Sequence, residues 1–203
     1  MATTIDWSQI YRRFSAPVTR IDCGALCAAK NKGVPVCCAN SRHVPVLFTD
    51  ELRWHTRAKT GMWRERPVRS KLDKKQADEI LDYLKYCLCP GIKECQRGLR
   101  SLTCRFFPFE PYIDEDGEFV GITYMYRAGK DCPLIDNDAI KVNKAYVRQA
   151  MDVWATVFDL YPQELELYHD ESRKLQRKFR KLNRVIKVFA VKGAGAPIPL
   201  SSR

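Results

Sequence analysis

Residues 87–109 read CLCPGIKECQRGLRSLTCRFFPF, and the architecture turns on how this stretch is held. It carries four cysteines as Cys87-x-Cys89-x5-Cys95-x8-Cys104 and shows no helical or strand periodicity. A second group lies upstream as Cys23-x3-Cys27-x9-Cys37-Cys38, and Cys132 follows alone in a Cys-Pro loop. All nine cysteines thus fall between residues 23 and 132. Loops with little apolar content gain order when several thiolates converge on one inorganic centre.

The setting decides how these thiols are read. The opening MATTIDWSQIYRRF has no basic start, apolar stretch and small-residue cleavage site, so a cytoplasmic, reducing location is expected. There, an odd count of nine cysteines points to metal or redox chemistry rather than to a disulfide scaffold, hyperthermophiles excepted. Thiolate is a soft ligand that suits iron–sulfur clusters and zinc, and the sequence leaves both open. Adjacent Cys37 and Cys38 point opposite ways on an extended backbone, so either one packs or the two serve different metal atoms. Cys87, in phase with the Leu81–Leu84 segment, is as well suited to the core as to a metal. His43 lies five residues after Cys38 and stands as an alternative ligand; His55 and His169 are the only other histidines.

The run Cys89-x5-Cys95-x8-Cys104-Arg105-Phe106-Phe107-Pro108-Phe109 resembles the second half of the cysteine-cluster (CxxCxxCC-type) family of zinc- or iron-chelating proteins. That family ends its motif in Cys-Arg-x-Phe-Pro, and flagellin lysine methylases share the cysteine pattern. The likeness spans roughly residues 20–135. It departs from the family where Ala28 to Val36 stretch the opening group, at Gly98, and at Arg100-Ser101. The resemblance implies Cys23, Cys27, Cys37, Cys38, Cys89, Cys95 and Cys104 as ligands, to which the position of Cys132 adds an eighth. It allows an iron–sulfur enzyme, and Arg105 would soften the charge of the thiolates or pair with Glu110.

Working outward, Trp7, Ile10, Tyr11 and Phe14 predict a helix ended by Pro17. His43 to Phe48 reads as a short edge strand. Residues 50–86 read as mostly helical, with Asp73 as a cap and Ala77, Ile80, Leu81 and Leu84 on one stripe. Glu118 to Tyr126 reads as a strand after an Asp-Glu-Asp-Gly turn. Two long helices are predicted to close the chain, over Asp138–Leu160 and from Glu164 to about Phe189. The expected class is α+β and mostly helical. It comprises an irregular, cysteine-rich, metal-bound core, a short antiparallel strand pair and two long C-terminal helices. Residues 1–162 would form the cysteine-cluster domain, and 163–203 a basic helix and tail.

The charge is unevenly placed. From Arg173 to Arg203 there are ten Lys or Arg and no acidic residue, so the net +11 leaves only about +1 for residues 1–172. Arg173, Lys174, Arg177, Lys178, Arg180, Lys181 and Arg184 make this helix a candidate surface for nucleic acid or an acidic partner, with Trp54 and Trp63 as an extension. No apolar run is long enough to span a membrane. No P-loop, GxGxxG, GxSxG or HExxH is present, which removes the common nucleotide-binding and hydrolase signatures.

Overall fold

The computed structural model describes residues 5–39, 45–126, 132–135 and 137–191. The chain forms two compact units, one of residues 6–12 and 24–107, the other of 1–5, 13–23 and 108–203.

The first unit begins with helix α1 (Trp7–Arg13). Asp6 caps it by accepting from the backbone N–H of Ser8 at 3.0 Å and of Gln9 at 3.2 Å. Two short helices follow, α2 (Cys23–Ala28) and α3 (Val36–Ala39). The first cysteine group therefore lies on helical turns, not in the open loop its Gly and Pro content suggests. Strands β1 (Val46–Phe48), β2 (Arg64–Glu65) and β3 (Leu84–Leu88) form an antiparallel sheet in the order β1-β3-β2. Between them lie helix α4 (Thr49–Arg57) and helix α5 (Lys71–Asp78). The predicted helical stripe through Leu84 fails because α5 stops at Asp78 and the run Leu84–Leu88 pairs with Val46–Phe48 through its first three residues and with Arg64–Glu65 through its last two. Asp73 does help start α5, from its third position. Its backbone N–H donates to the Ser70 hydroxyl at 3.0 Å, and its carboxylate accepts back from that hydroxyl at 2.8 Å.

The second unit is a three-stranded antiparallel sheet, β4 (Phe109–Ile113), β5 (Phe119–Tyr124) and β6 (Val188–Phe189), with helices α7 (Lys144–Leu160) and α8 (Pro162–Lys181). The short strand pair read from sequence is thus corrected to two three-stranded sheets. The β4–β5 turn is set by Asp114, whose Oδ1 accepts from Glu118 N–H at 2.8 Å, and by Gly117 at φ +88°. In α7, Tyr146, Val147, Ala150, Val153, Trp154, Val157 and Phe158 form one buried stripe, and Asn143 caps the start. Leu175 and Phe179 of α8 pack with Tyr112, Ile186 and Val188. The closing helix stops at Lys181, well short of Phe189. Asn183 adopts φ +49°, and Val188–Phe189 leave to pair with β5, so Leu182 of the predicted stripe is 54% exposed.

Candidate metal centre

Cys27, Cys37, Cys38, Cys87, Cys89, Cys95 and Cys104 are free thiols. Cys27, Cys37, Cys38, Cys89, Cys95 and Cys104 lie in the first unit, and interactions link them across the 50 or so residues that separate the two groups in sequence. Cys104 feels the charges of both Cys89 and Cys38, and Cys37 that of Cys27. Arg100 hydrogen-bonds the Cys95 sulfur, and its charge also reaches Cys37 and Cys38.

Local structure explains how each thiol is held. Cys27 Sγ accepts the Val36 N–H at 3.4 Å, which closes the stretch 28–36 on itself. Cys37 and Cys38 open α3 with their sulfurs 3.9 Å apart. Cys104 sits in helix α6 (Leu102–Phe106), whose first turn is fixed twice. The Ser101 hydroxyl accepts the Cys104 N–H at 3.2 Å, and Glu51 Oε1 accepts the Leu102 N–H at 2.8 Å. Between Cys95 and Cys104, Arg105 clamps the Gly98–Arg100 turn by donating to the Arg100 carbonyl at 2.8 Å and to the Gly98 carbonyl. The Trp63 indole donates to Leu99 O at 2.9 Å.

The electrostatics favour one ready thiolate. The hydrogen bond from Cys37, aided by the charges of Arg100 and Arg97, pulls Cys38 down to about 6 against its partial burial. The same pairing, with burial, pushes Cys37 well up. Burial lifts Cys104 to about 11 although the Ser101 hydroxyl opposes it. Cys87 is driven up to about 12 by burial and by Glu51 and Glu65. It packs with Leu47, Met62 and Trp63, which marks it as core. Trp63, only 8% exposed, belongs to that core and extends no surface groove. Cys23, at the head of α2, and Cys132, in the Cys132–Ile135 turn, are counted in the second unit. His43 lies outside the described residues. Among the described residues, no three Cys, His, Asp or Glu side chains stand ready to hold an ion. The donor set fits a thiolate-bound metal in chemistry, being soft, free and offset by two arginines; the sulfurs do not enclose a point.

Beside Cys104 lies a buried polar network that the sequence reading missed. The Tyr11 hydroxyl donates to Glu51 Oε1 at 2.7 Å and lies 2.8 Å from His55 Nε2, and His55 Nδ1 is 2.9 Å from the Thr60 hydroxyl. Glu51 and His55 are 0% and 1% exposed. Burial raises Glu51 to about 7 and lowers His55 to about 4. The guanidinium of Arg105 lies 4.3 Å over the Tyr11 ring. The one sequence signal was the Glu51/His55 spacing of four, which puts both on one face of α4 directly after buried Leu47-Phe48.

Comparison with known proteins finds no match among family models, curated proteins or solved structures.

Proposed function

We propose that the protein is an iron–sulfur protein of the 4Fe–4S type with a redox or protein-modifying role. Its cluster draws its thiolates from Cys27, Cys37, Cys38, Cys89, Cys95 and Cys104. The observation that carries this reading is Arg100, which hydrogen-bonds the Cys95 sulfur while its charge reaches Cys37, Cys38 and Cys104, thiols from two segments far apart in sequence. Six unpaired thiols exceed the four that a tetrahedral zinc site takes. A bound cluster supplies one-electron chemistry at a potential set by its charge, hydrogen bonds to sulfur and exposure.

The chain's own residues then have defined tasks. Arg100 and Arg97 offset the negative charge of several thiolates and lower the cost of deprotonating them. Ser101 and Glu51 fix the turn that presents Cys104. Arg105 holds the loop between Cys95 and Cys104 in shape. Metal binding organises the remaining irregular backbone, as it does in small metallo-domains.

Paired variants test the assignment. Cys104→Ser is expected to lose bound iron on anaerobic purification, and Cys87→Ser to keep it. Full iron retention by the first variant contradicts the ligand set. Zinc at one equivalent in place of iron favours the competing reading, a zinc-stabilised module that binds a partner.

A further inference from the structure

The geometry points to the outer face of α8 as a binding surface for the phosphate backbone of a nucleic acid. This inference lies beyond the metal reading and does not depend on it. At 100° per residue, Arg173, Lys174, Arg177, Lys178, Arg180 and Lys181 occupy one broad arc opposite the buried residues Ser172, Leu175, Gln176 and Phe179. All six are exposed, as is Arg184 just beyond the helix. From Arg173 to Lys181 the row runs about 12 Å along the axis. No acidic or apolar side chain interrupts this arc.

The fold uses only part of this charge. Lys174 pairs with Glu171 and Arg180 with Glu115 at the margins, but Arg173, Arg177, Lys178 and Lys181 make no ion pair with a described residue. Like charges four apart destabilise a helix, and Arg173–Arg177, Lys174–Lys178 and Arg177–Lys181 are three such pairs. Only those in the last turn are repaid by the helix dipole. The face is therefore a structural liability that a polyanion would relieve.

The character of the face selects the partner. Nucleic acid presents one charge per ~3.4 Å of strand without interruption, which matches an unbroken cationic row. Four of the seven cations are arginines, whose planar fork grips phosphate with two hydrogen bonds. An anionic membrane surface is a poorer match, because a helix lying on lipid inserts its apolar stripe, and here Leu175 and Phe179 are committed to the sheet.

The test is fluorescence anisotropy of a labelled single-stranded oligonucleotide, and of its duplex, titrated with the full chain at rising salt. With four phosphate contacts, log K should fall against log[salt] with a slope of about −3 on the single strand. The triple variant R173Q/R177Q/K181Q should bind about tenfold or more weakly, with a slope shallower by about 2. Its circular dichroism and Tm should be unchanged or higher. Neutralising Lys71, Lys74 and Lys75 of α5 should leave binding intact. The proposal is overturned if the chain does not bind at low salt, or if the triple variant binds as well as the parent. It is equally overturned if anionic vesicles or poly-glutamate compete as effectively as unlabelled oligonucleotide.

Discussion

The Tyr11 hydroxyl and Glu51 Oε1 meet at 2.7 Å inside the first unit, joining α1 to α4 across 40 residues of sequence. Glu51 also accepts the N–H groups of Leu102 and Phe48, at 2.8 and 3.3 Å. One carboxylate therefore ties α1, the start of α4 and the start of α6. Glu51→Ala removes the acceptor shared by three buried donors and is expected to cost about 3 kcal/mol or more by urea denaturation. Tyr11→Phe, which removes one donor and leaves the others, should cost about 1–2 kcal/mol. A loss under half a kilocalorie for Glu51→Ala would deny the network its structural role.

The same network sets a pH signature. Glu51 titrates higher in the fold than its ordinary 4.5, at about 7, so its contribution is full below pH 4.5 and is lost as pH rises to about 7. His55 goes the other way, from 6.5 down to about 4, so its contribution is full above pH 6.5 and is lost on acidification to about 4. Over the shared window the two slopes oppose each other. Subtracting the stability profile of Glu51→Gln from that of the parent isolates the first. That difference should decline with rising pH across this window, and a rising difference would reverse the assignment.

Gly121 lies under the closing strand. A Cβ placed there would stand 2.5 Å from Phe189 O and 2.8 Å from Val188 Cγ1. Since the nearer atom is backbone, β6 must shift or leave. Gly121→Ala is expected to destabilise by about 2–3 kcal/mol, with faster amide exchange at Val188 and Phe189. Unchanged exchange there would show that β6 tolerates the added methyl.

Cys87 separates packing from ligation. It is 0% exposed against Leu47, Met62 and Trp63. Cys87→Ala should cost about 1 kcal/mol of stability and leave metal content unchanged. Loss of metal would move Cys87 into the ligand set.

Where hydrophobic spacing ran long, the sequence was legible. The stripe of α7 from Val147 to Phe158 was readable because a 3.6-residue period follows directly from burial of one face, and the strand at Phe119–Tyr124 because β-forming residues follow an Asp-Glu-Asp-Gly turn. The end of α8 was not, because Ile186 and Phe189 continue a helical spacing although they are buried through β6 and its approach. Tertiary pairing overrode local pattern there, as at Leu84–Leu88. At the candidate centre, the sequence offered Arg105 as a cationic neighbour of the thiols or a partner of Glu110, whereas the charges that reach Cys37 and Cys38 come from Arg100, joined at Cys38 by Arg97. The direction of a loop side chain has no periodic signal. The network of Tyr11, Glu51 and His55 was hidden for a related reason, since buried polar groups are specified by partners far apart in the chain.

Iron and acid-labile sulfide per chain, measured with the visible spectrum on protein purified without oxygen, test the central claim most directly. A thiolate-bound cluster makes the protein brown, with near-equal iron and sulfide and a broad absorption that dithionite bleaches. A colourless chain that takes up neither iron nor sulfide on anaerobic reconstitution would contradict it.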